Sequence, residues 1–151
     1  MISLNKILVP TDFSKHSEKA LRYGVELAIK FSAEVHLLHT FEIVPMAYGE
    51  GGFIPIDSSE EIAEAAKQHL DKLTIESVGQ LVVTRAVTQG RPFVEIVRYA
   101  KQKEIDLIVL GTHGRGAISH MLLGSVAEQV VRKASCPVLV VRDEEHDFIM
   151  P

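Results

Sequence analysis

The sequence predicts an α/β fold, an open parallel sheet of about five strands with helices on both faces. Three features of the chain lead to this prediction. Short apolar segments lack the polar alternation of a half-exposed strand, segments with apolar residues three and four positions apart separate them, and the two kinds alternate along nearly the whole chain. A strand that helices cover on both sides has no polar face, which explains the uninterrupted apolar runs.

The N-terminal half contains two of these strands and two helices. The first strand, 6–10, is followed by Ser14, a residue type that caps helix N-termini. Apolar and β-branched residues favour a second strand over 34–41. Ser58 and Glu61 then stand at capping-box spacing ahead of the second helix. The apolar face of the first helix comprises Ala20, Leu21, Gly24, Val25, Ala28 and Phe31.

The C-terminal half supplies three further strands, at 81–87, 106–110 and 137–141. Pro92 favours a helix directly after the third strand, because proline is tolerated in a first helical turn. A fourth helix lies between the last two strands, and its apolar face comprises Leu123, Val126, Ala127, Val130, Val131 and Ala134. The alternation of strands and helices therefore continues to the fifth strand.

Length and composition favour one domain and exclude several classes of function. With 151 residues, the chain has the usual size of a single domain, which we assign to residues 1–143, followed by a C-terminal tail at 144–151. The net charge of -4 gives no electrostatic reason for binding nucleic acid or anionic lipid. Apolar runs are far shorter than the roughly 18 residues of a membrane span, and the N-terminus lacks signal-peptide features. We therefore expect a cytoplasmic protein whose partners are small ligands or other proteins.

A glycine pattern after the fourth strand is the main candidate for a binding site. Gly111 ends that strand, Gly114 follows three positions later, and Gly124 and Ser125 come after nine intervening residues, at the start of the fourth helix. Glycines let the backbone approach a bound group closely, and the amides of a helix N-terminus favour anions. Thr112 and Arg115 add polar or cationic contacts. This spacing suits the phosphates of a nucleoside triphosphate.

Two common phosphate-binding motifs do not fit the same residues. A P-loop requires lysine followed by serine or threonine after its second glycine, whereas Gly116 is followed by Ala117 and Ile118. A dinucleotide fingerprint that begins at Gly114 requires glycine or alanine where Ser119 stands, and it normally follows the first strand. The pattern is therefore neither a Walker motif nor a typical NAD site.

The chain resembles the ATP-binding branch of the universal stress protein family. The resemblance rests on the glycine pattern, on the opening residues 7–14, and on the segment 136–141 that forms the last strand. It implies a sheet of strand order 3-2-1-4-5, ATP in a cleft between strands one and four, with or without Mg²⁺, and a homodimer. An exposed fifth strand is itself a pairing hazard that a partner would cover, which also favours a dimer.

The resemblance also implies which residues contact the nucleotide. Asp12 with Pro10 and Thr11 would face the adenosine end, and the backbone at Thr40 would meet adenine. The ribose and phosphates would be met by Gly111, His113, Gly114, Arg115, Gly124, Ser125, Val126 and Ala127. Asp12 has a second interpretation, as a cap of the first helix. The glycine-rich and proline-containing connection 46–56, close to the expected adenine pocket, is a candidate lid.

A regulatory ATP-binding protein of the stress response is the expected function. The residues offer no general base aligned with an activated nucleophile, so no catalytic residues and no metal ligands are assigned. One alternative is a slow Mg-dependent ATPase or a phosphoryl- or nucleotidyl-transfer enzyme. Another is a dimeric adaptor or chaperone-like module that makes no use of ATP. A further protein partner of unknown identity is expected if the chain is a regulator or an adaptor.

Overall fold

Strands and helices alternate along the chain as the sequence predicts. The computed structural model describes residues 1–43, 59–75, 80–112 and 123–142. Its elements are β1 Lys6–Thr11, α1 Lys15–Phe31, β2 Glu34–Phe41, α2 Ser59–Lys72, β3 Val83–Gln89, α3 Pro92–Gln102, β4 Leu107–Gly111, α4 Ser125–Lys133 and β5 Val138–Val141.

The five strands form one parallel sheet in the order β3-β2-β1-β4-β5. This confirms both the predicted fold class and the predicted strand order. The chain first builds outward from β1 to β3 and then returns to the other side of β1 with β4. The direction of winding therefore reverses between β1 and β4, and the carboxyl ends of these two strands flank the crevice where such sheets bind ligands.

Alternate residues of the strands build a core on each face of the sheet. One buried cluster joins β1, β2 and β4 to α1 and α2, and includes Ile7, Val9, Val35, Leu37, Leu70 and Val109. The other joins the opposite faces of these strands to α3 and α4, and includes Leu8, Leu38, Ile96, Ile108, Leu110 and Val130. Each fully buried aliphatic side chain contributes about 1.5–3 kcal/mol, so the sheet is held rigidly beneath its carboxyl edge.

Helix α1 is set close against this sheet by local sequence signals. The Ser14 side chain caps α1 by accepting a hydrogen bond from the Ser17 amide, as the sequence predicts. A Cβ atom at Gly24 would lie 2.5 Å from Val9 Cγ2, so a glycine is needed where the helix crosses β1. The first turn of α1 is thereby placed directly above the carboxyl end of β1.

The boundaries of β3 differ from those expected. The sequence favours 81–87, whereas the strand spans Val83–Gln89. Its ladder with β2 continues to Gln89, and the Gly90 amide donates a hydrogen bond to the Phe41 carbonyl at 2.9 Å. Pairing with β2, rather than the apolar run itself, determines where the strand ends.

Several sequence-based expectations concern residues outside the described ranges. They are the lid at 46–56, the cap residue Ser58, the tail at 144–151 and the site residues His113, Gly114 and Arg115. Among the helices of the described residues, none has the length and apolar character that crossing a membrane requires.

Candidate functional site

The turn between β1 and α1 is held by the side chains of three polar residues, Thr11, Asp12 and Ser14. Thr11 is buried, and its hydroxyl accepts a hydrogen bond from the Phe13 amide at 3.1 Å. Asp12 Oδ1 accepts from the Ser14 amide at 3.0 Å and from the Ser14 hydroxyl at 2.5 Å. Ser14, and not Asp12, is the N-cap of α1. The carboxylate of Asp12 instead stabilises the cap residue from the strand end.

Phe13 adopts a backbone conformation that is rare for a bulky residue. Its φ angle is 63°, in the left-handed region, which costs about 1–2 kcal/mol for an L-residue. Its ring contacts two imidazoles, with centroids 3.9 Å from His69 and 4.4 Å from His39. His39 Nδ1 lies 2.8 Å from the Thr11 carbonyl oxygen, and because a carbonyl only accepts, Nδ1 carries the proton. Sequence reasoning did not assign these aromatic residues to the site.

Gly111, at the end of β4, has a packing role that the glycine pattern alone does not reveal. A Cβ atom there would lie 2.8 Å from the carbonyl oxygen of His16 and 3.0 Å from its carbonyl carbon. The obstructing atoms are backbone atoms of the first turn of α1, so they cannot rotate away. Glycine at this position lets β4 end directly beneath the helix that begins above Asp12.

The two halves of the glycine pattern are joined by a hydrogen bond. Thr112 is buried, and its carbonyl oxygen accepts from the Gly124 amide at 2.6 Å. Its own amide donates to the Val141 carbonyl at 3.1 Å, which ties the same residue to the end of β5. The end of β4 and the start of α4 are therefore adjacent in space although twelve positions separate Thr112 from Gly124.

The N-terminus of α4 presents backbone amides at this edge of the sheet. Gly124 is its N-cap, and the first intrahelical bond runs from the Glu128 amide to the Gly124 carbonyl at 2.9 Å. The amides of the first helical turn have no acceptor within the helix, and they carry the positive end of its dipole. Ser125 is exposed beside them, whereas the side chains of Val126 and Ala127 pack into the core. A ligand would meet these last two residues through the backbone.

The predicted adenine side of the site lies at the carboxyl end of β2. Thr40 is half-buried and pairs in register with Thr88 of β3. The Thr88 hydroxyl oxygen is buried, and within the described ranges it has no hydrogen-bond partner. Pro10 is half-buried on the neighbouring strand. The predicted residues in the described ranges thus lie at the carboxyl ends of β1, β2 and β4 and at the start of α4.

A separate buried polar cluster connects β2, β3 and α3. His36 Nδ1 lies 2.9 Å from the Tyr99 hydroxyl, and Nε2 lies 3.3 Å from Glu34 Oε1 without hydrogen-bond geometry. Thr84 donates to the same Glu34 oxygen at 2.5 Å. Burial lowers the pKa of His36 despite the nearby Glu34 carboxylate, and it raises the pKa of Tyr99. The cluster lies on the α3 side of the sheet and includes none of the predicted site residues.

The described residues contain no group of three histidine, cysteine, aspartate or glutamate side chains arranged to hold a metal ion. Cys136 is half-buried, and burial raises its pKa. Among the described residues of the predicted site, the polar groups include the hydroxyls of Thr11 and Ser125, the Asp12 carboxylate and the backbone amides at the start of α4.

The fold and the site together define the class of protein. A parallel sheet that reverses its winding between β1 and β4, with glycines at the β4 end, places the chain among the doubly wound α/β proteins that bind ligands at the carboxyl edge. Residues 3–142 match the Universal stress protein family, and the chain belongs to this family.

Individual relatives agree over most of the chain. Universal stress protein MJ0531 of Methanocaldococcus jannaschii is 38% identical, with 91% of this chain and 81% of that protein covered. A solved structure of MJ0577, from the same organism, is 32% identical, has a TM-score of 0.77, and covers 96% of this chain and 100% of that one. The structure of UspA from Lactobacillus plantarum is 29% identical, has a TM-score of 0.73, and covers 94% of this chain and 100% of that one.

Proposed function

We propose that this chain binds ATP at the carboxyl edge of its sheet and acts as a nucleotide-dependent regulator in the stress response. The observation that carries the proposal is the hydrogen bond between Thr112 and Gly124. It brings a strand end and a helix N-terminus together at the two ends of the eleven-residue glycine-containing segment 113–123. Two anion-binding elements at one place suit a polyphosphate better than a single phosphate.

Phosphate recognition would depend on backbone groups. The amides at the start of α4 and the hydroxyl of Ser125 would hold the phosphate tail, with Val126 and Ala127 contributing amides alone. His113, Gly114 and Arg115 are the remaining proposed contacts, to ribose and phosphates. Backbone amides bind an anion without supplying a base, so this arrangement favours binding over hydrolysis. Any Mg²⁺ would arrive with the nucleotide.

Adenosine would lie toward β1 and β2. Asp12 stands at the end of β1 beside Pro10 and Thr11, and Thr40 stands one strand further from β4. Adjacent strands are about 4.8 Å apart, so a nucleoside that extends from β4 toward β2 crosses the end of β1. Two universal stress protein structures with this fold were solved with adenine nucleotides, one with cAMP (22% identical, TM-score 0.63) and one from Archaeoglobus fulgidus with dAMP (23%, 0.54).

A homodimer through β5 is part of the proposal. β5 is an edge strand, and Leu139 of this strand and Val131 of α4 are exposed apolar side chains. A second copy that covers this edge would bury both and remove a pairing hazard. We also propose a cytoplasmic location, where ATP is abundant. Sedimentation of only monomers at high protein concentration would contradict the dimer.

Nucleotide binding is tested first on the purified wild-type protein. Denaturation and mass spectrometry identify any co-purified nucleotide, and calorimetric titration compares ATP, ADP, AMP and GTP. We expect ATP to bind, and no heat at millimolar ATP would overturn the proposal.

Gly124→Val tests the phosphate site more specifically than Gly111→Ala does. Gly124 has φ -57° and ψ 151°, a conformation that valine adopts without strain, so the new side chain obstructs the phosphate site without distorting the turn. Gly111→Ala would clash with the backbone of His16 and would confuse binding with stability. Ser135→Val, at an exposed position beyond the opposite end of α4, is the matched control. Gly124→Val should abolish ATP binding, and Ser135→Val should leave it unchanged.

A further inference from the structure

The aromatic stack of His39, Phe13 and His69 links the proposed nucleotide site to helix α2. Phe13 follows Asp12 directly in the chain, and His69 lies in the last turn of α2. The two rings are nearly parallel, with an interplanar angle of 7° and centroids 3.9 Å apart. His39 also contacts the Phe13 ring, at a centroid distance of 4.4 Å, and its Nδ1 donates to the Thr11 carbonyl. The stack therefore contacts the strand end, the turn and the helix at once.

Two hydrogen bonds from backbone amides to side chains hold the turn that carries Phe13, so the backbone at Phe13 moves together with Thr11 and Asp12. The amide of Phe13 is bound by the Thr11 hydroxyl, and the amide of Ser14 by the Asp12 carboxylate. The φ angle of 63° orients the ring toward α2. Any shift of Asp12 that relieves or increases this strain rotates the backbone from which the Phe13 ring projects, and the ring transmits the shift to His69.

Helix α2 is anchored at one end, close to this contact. Of its residues, Leu70 is the one that is buried. Arg85 of β3 donates hydrogen bonds to the carbonyls of Leu70 at 3.2 Å and Leu73 at 2.9 Å. The remaining turns are half-buried or exposed. A helix held through its last turn is expected to respond along its length to a small displacement there.

We propose that His69 is a positioning residue that acts through Phe13 on Asp12, so that nucleotide at the strand end and the position of α2 are coupled. The inference rests on the proposed function for the identity of the ligand. Coupling is reciprocal: nucleotide binding should order α2, and loss of the His69 ring should weaken nucleotide binding. An aromatic pair contributes enough that its removal should raise the dissociation constant for ATP about three- to tenfold.

The test compares three variants of α2 by hydrogen exchange and calorimetry with ATP. His69→Ala removes the ring and strengthens the intrinsic helix propensity, so loss of coupling does not reflect a weaker helix. His69→Phe keeps a ring on Phe13. Gln68→Ala, one position earlier, removes an exposed side chain that bonds only Glu64 among the described contacts. ATP should slow the exchange of α2 amides in the wild type, in His69→Phe and in Gln68→Ala, but not in His69→Ala.

Each remaining outcome has a distinct meaning. If the wild type binds ATP but α2 exchange does not change, or if His69→Ala behaves like the wild type, the coupling is overturned and the proposed function stands. If the wild type binds no nucleotide, the proposed function fails. Hydrogen exchange without ligand then tests whether His69 is coupled to the Asp12 turn through Phe13. There, His69→Ala should speed exchange of the Phe13 and Ser14 amides, and unchanged rates would overturn the inference.

Discussion

Replacing Thr88, which lies near the carboxyl end of the edge strand β3, by valine should stabilise this protein. The Thr88 hydroxyl oxygen is buried and makes no hydrogen bond to any residue that the structure describes. Leaving such a group unsatisfied costs about 1–3 kcal/mol, and valine replaces it with a methyl group of similar size. We expect the free energy of unfolding to rise by about 1 kcal/mol or more, which for a chain of this length corresponds to about 2–4 °C in Tm.

The same strand offers a control in Thr84, whose hydroxyl is satisfied. It donates to Glu34 Oε1 at 2.5 Å, within the cluster that contains His36. Thr84→Val removes a charge-assisted hydrogen bond from a partly buried carboxylate, so it should destabilise by about 1.5–3 kcal/mol. Urea denaturation with an unchanged m value measures both changes. Destabilisation of similar size in the two variants would refute the reasoning, since it would show that the Thr88 hydroxyl has a partner in the folded protein.

Two further predictions concern His36 and Gly111. Burial holds the pKa of His36 below its ordinary value of 6.5, so the unfolded chain binds the proton more tightly than the folded protein does. The free energy of unfolding should therefore be at its full value above pH 6.5 and should fall as the pH drops from 6.5 to the folded-state pKa. Urea denaturation at a series of pH values from 7.5 downward measures this dependence. In His36→Phe, the free energy of unfolding should depend less on pH within that window. An equal dependence in the variant would assign the effect to other groups. Gly111→Ala should lower the free energy of unfolding by more than 1 kcal/mol, because the new Cβ would lie 2.8 Å from the His16 carbonyl oxygen. A thermal unfolding midpoint equal to that of the wild type would show that α1 moves aside at no cost.

The sequence was sufficient for the order and type of the elements, because each carries its own local signal. Uninterrupted apolar runs indicated strands buried on both faces, and Ser14 and Pro92 marked helix starts that the structure contains. The end of β3 was not predictable in the same way. It depends on pairing with β2 as far as Gln89 and on the bond from Gly90 to Phe41, contacts between residues about fifty positions apart.

For the site, the glycine pattern indicated the correct edge of the sheet but not its construction. From the sequence, Phe13 is an apolar residue in a turn. The sequence predicts neither its left-handed backbone conformation nor its contact with His69. In the sequence His39 is indistinguishable from an ordinary strand histidine, although its Nδ1 donates a hydrogen bond to the Thr11 carbonyl. The contacts of Phe13 with His69 and His39, and of His39 with Thr11, join residues more than twenty positions apart.

Gly111 shows why the glycine pattern is informative even though one of its glycines has a packing role. The residue must lack a side chain so that the first turn of α1 can lie against the end of β4. That same approach places the first turn of α1 against Gly111, and the carbonyl of the next residue, Thr112, accepts from the Gly124 amide at the start of α4. The packing requirement and the proposed phosphate site are therefore two consequences of one arrangement. A substitution at Gly111 would disturb both, whereas one at Gly124, in an extended conformation, would separate them.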